Sequence, residues 1–223
     1  MIIGLVGFAG SGKGTVADIL CEKYGFTKVS FADVVKDITA QMFGWDRHLL
    51  EGDTDESRAF RESQDDWWTA RLGKPITPRN MLQLMGTEAG RDTFDQNIWI
   101  HNVERKIHNM RVNEFKERFV IADTRFPNEI EAIRNWGGHV VRVMRGKEPK
   151  WFETAAIANI TKDHSLMKSK YHNIHYSEWA WIGERFNYLI TNDSSKIMLD
   201  ADVNHLVKVF TGPVNTDILT KVA

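Results

Sequence analysis

The sequence is short of several things, and each shortage closes off a class of protein. Across 223 residues there is a single cysteine, Cys21, which excludes an internal disulfide and a multi-cysteine metal site. No apolar run approaches the roughly 20 residues needed to span a bilayer. The stretch Met1 to Val6 runs straight into glycines and is too short for the apolar region of an export signal. An excess of one charge is missing as well. With 29 basic and 30 acidic residues the net charge is -1, which argues against a chain whose main task is wrapping nucleic acid. Internal repeats and low-complexity segments are absent. What remains is an ordinary globular mixture, 42% hydrophobic and 26% charged, that fits one domain over residues 1–223. The expectation is a cytoplasmic protein without membrane or nucleic-acid partners.

Ile2, Ile3, Leu5 and Val6 read as a buried parallel strand ended by a glycine-rich turn. A helix is predicted from Lys13 to just before Gly25, then a strand over 27–31 and a helix over 34–43 with Asp33 as its N-cap. From 44 to 78 the pattern blurs into a partly helical insertion. Helical periodicity returns over 79–85 and 97–110, so that about 44–110 form one helical region. A strand over 118–122 leads to a helix over 127–136, opened by Pro127. Further strands are predicted over 139–144 and 188–191, then a closing helix over 201–210 and a loosely held tail after Gly212. Residues 146–181 are polar and weakly periodic, as a mobile lid would be. The alternation predicts an α/β domain, a largely parallel sheet flanked by helices.

The first turn carries chemistry. Gly7-Phe8-Ala9-Gly10-Ser11-Gly12-Lys13 has the Gly-x4-Gly-Lys spacing of a phosphate-binding loop. Glycines let the backbone aim several N–H groups at phosphate oxygens. The helix that follows turns the positive end of its dipole to the same anion. Lys13 adds a charge that can reach the β- and γ-phosphates. Next come Gly14 and Thr15, where the strict motif has Ser or Thr directly after the lysine. Thr15 is therefore expected at the α-phosphate, with Mg2+ held mainly by the nucleotide and water rather than by protein.

A second group follows the strand at 118–122: Asp123-Thr124-Arg125, with Glu129 one helical turn on. Ligands of open parallel sheets gather at the carboxyl ends of the strands. Asp123 is expected to orient magnesium or its water, and Arg125 to carry charge onto a transferring phosphoryl group. Glu129 is expected to hold the Arg125 guanidinium in a bidentate pair. His164, His172 and His175 lack a completing cysteine or carboxylate and read as solvated histidines, not a zinc site. Trp67, Trp68, Trp179 and Trp181 read as packing or dimer surface rather than base-stacking platforms.

Together these pieces resemble the bacteriophage-type deoxynucleoside monophosphate kinases, and the loop with Lys13-Gly14-Thr15 resembles adenylate-kinase-like proteins. The resemblance is carried by Gly7 to Thr15, by Lys36, by Arg79 to Thr87 with Trp99, by Asp123 to Glu129, and by Ile190-Thr191-Asn192-Asp193. It implies a P-loop kinase fold and transfer of the γ-phosphoryl of ATP to a deoxynucleoside 5′-monophosphate. ATP would meet Gly10, Ser11, Gly12, Lys13, Gly14, Thr15, Arg145, Asn192 and Asp193. The acceptor would meet Lys36, Arg79, Gly86, Thr87 and Trp99, with Asp123 and Glu129 beside them. Lys13, Arg125 and Asp123 would act on the reacting group, and a homodimer is implied. Kinases of this kind carry lid arginines, yet none lies between Arg145 and Arg185. Either Arg125 and Arg145 take that role or Lys147 and Lys150 do, and Arg125 is favoured. The fold also supports a kinase for another small acceptor, or a nucleotide-binding switch or ATPase.

Overall fold

The computed structural model describes residues 1–212; the tail after Gly212 lies outside the described residues. Five strands form one sheet: β1 (Ile2–Val6), β2 (Thr27–Val29), β3 (Phe119–Ile121), β4 (His139–Met144) and β5 (Tyr188–Thr191). Their order is β2-β3-β1-β4-β5, and every pair is parallel. All five residues of β1 are buried, because this strand lies between β3 and β4 and is covered on both faces.

Among the described residues, ten α-helices connect and cover the strands: α1 (Lys13–Tyr24), α2 (Asp33–Phe43), α3 (Asp55–Glu62), α4 (Asp66–Leu72), α5 (Pro78–Leu84), α6 (Ile98–Glu114), α7 (Pro127–Asn135), α8 (Phe152–Thr161), α9 (Ser165–Lys170) and α10 (Lys196–Thr211). One core joins α1 and α10 to the face of Ile3, Leu5, Val120 and Val141. The other joins α6, α7 and α8 to the face of Ile2, Val6, Phe119 and Ile121. Alternate residues of each strand thus feed opposite cores, as a two-residue repeat requires. The chain leaves β1 for one face and β3 for the other, so the loops after these neighbouring strands diverge and open a crevice.

Three expectations are corrected. Asp33 begins α2 instead of capping it; its carboxylate pairs with Lys106 at 2.8 Å. The closing helix starts at Lys196, where the Ser195 hydroxyl caps it by accepting the Met198 N–H. The region 146–181, expected to lack regular structure, holds α8 and α9. Ala155, Ala158, Met167, Trp179 and Trp181 are buried in the main core, at spacings too uneven to show a period in the sequence. Trp179 and Trp181 are packing residues. Trp68 is half-buried, with its indole N–H donated to the Phe43 carbonyl at 2.9 Å, whereas Trp67 is exposed beneath the Arg71 guanidinium. No helix among the described residues is long and apolar enough to cross a membrane.

Candidate active site

The glycine loop joins β1 to α1 at the carboxyl edge of the sheet. Gly7 has φ 141°, and a Cβ there would lie 2.2 Å from the Val143 carbonyl oxygen. Gly12 has φ 101°, and a Cβ would lie 2.3 Å from the Asn192 amide nitrogen. Both positions need glycine for conformation and for space. The Asn192 amide donates to the Ser11 carbonyl at 3.0 Å, and Asp193 accepts the Gly146 N–H at 2.5 Å. The loop after β5 therefore braces the glycine loop and the end of β4, near which Arg145 stands exposed. Gly14 and Thr15 are exposed in the first turn of α1, and the Ser11 hydroxyl is buried without a partner.

Lys13 Nζ donates to the carbonyls of Gly7 and Phe8, at 2.7 and 2.8 Å. Burial and the nearby Arg125 charge lower its pKa to about 8, against the opposing pull of Glu178 and Asp123. That coupling brings the loop lysine electrostatically together with the group after β3, as the crevice between diverging loops requires.

Asp123 ties that crevice together. Its carboxylate accepts the Ser30 hydroxyl at 2.7 Å and the backbone N–H groups of Ala32 and Phe31 at 3.0 and 3.2 Å. It thereby fixes the turn from β2 into α2. Glu129 does not grip the Arg125 side chain as expected. It is the third residue of α7, so its carboxylate folds back onto the backbone N–H groups of Arg125 and Phe126, at 2.7 and 3.1 Å. Its other oxygen takes Arg91 at 2.8 Å. Burial pushes the Glu129 carboxyl up to about 7, although Arg91 and those N–H groups hold it down. The Arg125 guanidinium points the other way and pairs with Glu178.

The remaining expected residues surround one cavity of about 250 Å³, lined among others by Lys36, Arg79, Gly86, Thr87, Trp99, Asp123, Arg125 and Glu129. Lys36 pairs with Glu51 at 2.5 Å and Arg79 pairs with Glu62. Gly86 and Thr87 lie in a π-helical turn, Met85–Asp92, that continues α5. The Gly86 carbonyl oxygen sits at the start of this turn. That oxygen accepts the Trp99 indole N–H at 2.8 Å and Arg91 at 2.7 Å. A Cβ on Gly90 would come within 2.2 Å of the Trp99 ring and 2.9 Å of the Met85 carbonyl oxygen. Gly90→Ala is therefore expected to destabilise the protein by about 1–3 kcal/mol through overpacking. A thermal unfolding midpoint equal to wild type would show instead that Trp99 can swing aside.

Sequence reasoning missed Glu51, Arg61, Arg91, His175, Ser177 and Glu178, which also line the cavity. Arg91 carried a faint signal, five residues beyond Gly86 on one segment. The others lie in charged stretches without a motif. His175 binds the Ser177 hydroxyl at 2.8 Å, and His164 packs edge-on to Trp179.

A parallel sheet of this order, a glycine loop with its lysine before α1 and a cation-lined cavity beside it define a P-loop kinase. Residues 50–162 match the family model described as deoxynucleotide monophosphate kinase. A protein of Acanthamoeba polyphaga mimivirus assigned as a deoxynucleotide monophosphate kinase is 32% identical, over 65% of this chain and 74% of the relative. The deoxynucleoside-5′-monophosphate kinase of Escherichia phage T5 is 28% identical, over 60% of this chain and 72% of the relative. Among solved structures, dephospho-CoA kinase from Campylobacter jejuni aligns over 94% of this chain and 95% of its own, with 17% identity and a TM-score of 0.46. The chain belongs to the deoxynucleotide monophosphate kinase family. The matched segment holds Arg61, Arg79 to Trp99 and the group after β3, while the glycine loop and the cavity residues Lys36, His175, Ser177 and Glu178 lie outside it.

Proposed function

We propose that this chain transfers the γ-phosphoryl group of ATP to a deoxynucleoside 5′-monophosphate, giving ADP and the diphosphate. The observation that carries this reading is the pairing of two anion-binding places, the glycine loop with Lys13 and the cation-lined cavity, with Arg125 coupled to both. A switch or simple ATPase would need only the first.

The acceptor is a phosphate monoester with roughly -1.5 to -2 charge near neutral pH. Its oxygen is a ready nucleophile, so no general base is needed. The protein must bring two polyanions together in line and offset their repulsion. Lys13 and the loop N–H groups would hold the donor phosphates, aided by Gly10, Ser11, Gly12, Gly14 and Thr15, with Arg145, Asn192 and Asp193 around the rest of ATP. Lys36, Arg79, Gly86, Thr87 and Trp99 would hold the acceptor, and Arg125 would follow the charge that develops on the transferred group. Asp123 and Glu129 would keep the turn before α2 and the Arg125 backbone in register.

The donor set fits magnesium carried by the nucleotide. Thr15 offers an exposed hydroxyl, and Asp123 oxygens already accept three hydrogen bonds, which leaves them a water-mediated part. The ion would neutralise phosphate charge. Water must be kept from ATP, and the region 146–181 is the proposed lid, with the turn bearing Ser177 and Glu178 as its inner edge. A homodimer working in the cytoplasm, that of the host where the chain is viral, completes the proposal.

Coupled ADP release with each of the four deoxynucleoside monophosphates tests the reading. Release that depends on a monophosphate supports it, whereas equal release without any acceptor would favour an ATPase. Arg79→Ala is expected to weaken acceptor affinity about 10-fold, or roughly 1.4 kcal/mol, with ATP affinity unchanged by calorimetry. Equal loss for both ligands would remove Arg79 from the acceptor site.

A further inference from the structure

Five lysine and arginine side chains line the cavity: Lys36, Arg61, Arg79, Arg91 and Arg125. Four of them are already matched by a carboxylate, namely Glu51, Glu62, Glu129 and Glu178. Arg61 forms no salt bridge among the described residues. Its Nη1 reaches only the Glu51 carbonyl, at 3.3 Å, while the Glu51 carboxylate is taken by Lys36 and Arg47. Its Nε is buried with no hydrogen-bond partner. A guanidinium carries five N–H donors, so most of its binding capacity is unmet.

The backbone makes room for this group. Gly52 has φ 75°, and a Cβ there would lie 2.1 Å from Arg61 Nη1. The turn before α3 thus runs close against a guanidinium that forms no salt bridge among the described residues. Burial lowers the Arg61 pKa, and the Arg79 and Arg125 charges lower it further against the opposing pull of Glu62 and Glu51. Arg61 is half-buried, and its buried, unpartnered Nε makes an anionic partner favourable.

We infer that Arg61 is the primary receptor for the acceptor phosphate, its planar fork meeting a doubly charged monoester between Arg79 and Arg125. This rests on the phosphoryl-transfer reading above. Lys36 and Arg79 arrive at the cavity already neutralised, so Arg61 supplies the positive charge that draws the phosphate in. The phosphate in turn supplies the partner that the fold withholds. A phosphate contact does not read the base, so Arg61 acts alike on every deoxynucleoside monophosphate.

The test compares wild type, Arg61→Met and Arg61→Lys by calorimetry with dAMP, dCMP, dGMP, dTMP and, separately, ATP, alongside unfolding midpoints with and without inorganic phosphate. For each monophosphate that wild type binds, Arg61→Met should lose about 100-fold in affinity, as truncating one side of a buried charge pair does. Arg61→Lys, which keeps charge without the fork, should lose about 10-fold. ATP affinity should hold in both. The unliganded Arg61→Met protein should melt at or above the wild-type midpoint, because an unanswered buried charge is gone. Phosphate should raise the midpoint of wild type more than that of Arg61→Met. Wild-type affinity in Arg61→Met would overturn the assignment. So would a lowered unliganded midpoint that Arg61→Lys restores, which marks a structural arginine. Failure of wild type itself to bind any monophosphate is a separate result, and it would sink the kinase reading together with this one.

Discussion

Lys13→Ala is expected to leave a folded protein whose turnover falls on the order of 10²-fold or more. The fold should survive because Lys13 is only half-buried and its two partners are carbonyls of its own loop. Turnover should not, because Lys13 is the cation that the glycine loop itself would bring to the β- and γ-phosphates. The same residue sets a pH dependence. Its pKa of about 8 means that Lys13 is charged below that value and ready for an anion. Above pH 8 binding must first take up a proton, so ATP affinity should fall as pH rises, by at most about tenfold per unit. Affinity constant from pH 7 to 9.5 would show that another group carries the phosphate charge. Near wild-type turnover in Lys13→Ala at saturating ATP would end the phosphate-loop assignment altogether.

Arg125→Lys should reduce turnover on the order of 10²-fold with modest change in either Michaelis constant. Charge on the transferred group grows toward the transition state, and an interaction that grows with it raises rate more than ground-state affinity. Lysine keeps the charge but not the planar fork that can span two oxygens. The geometry adds a condition. The Arg125 side chain is held by Glu178 from the turn at 176–178, while Glu129 holds only its backbone. Glu178 and Ser177 take only Nη1 of Arg125, so the proposed phosphate contact would use the remaining donors or displace Glu178. Steady-state kinetics on both substrates will separate the possibilities. A rise confined to the acceptor constant would move Arg125 from the transferred group to acceptor binding.

Local chemistry by itself determined the glycine loop, the sheet and most element boundaries. Gly7 to Lys13 is contiguous, and its spacing encodes a backbone shape that needs no distant partner. β1 and β4 were legible because strands buried on both faces read as apolar runs. Asp123 was found because it follows such a strand, where ligands gather. Pairings between elements were another matter. Asp123 binds the turn at Ser30 to Ala32, Glu129 binds Arg91, and Arg125 meets Glu178, at separations of 93, 38 and 53 residues. No periodicity reports such contacts, since a charged side chain selects its partner by proximity after the core has formed. The region 146–181 hid its structure for a related reason: α8 and α9 are short, and they are held by docking onto the main core rather than by propensity. Arg61 marks the limit most clearly. In the sequence it is one arginine in a charged run, Asp55 to Arg61, and only the packing of Gly52 and the prior claims on Glu51 leave it half-buried without a salt bridge among the described residues.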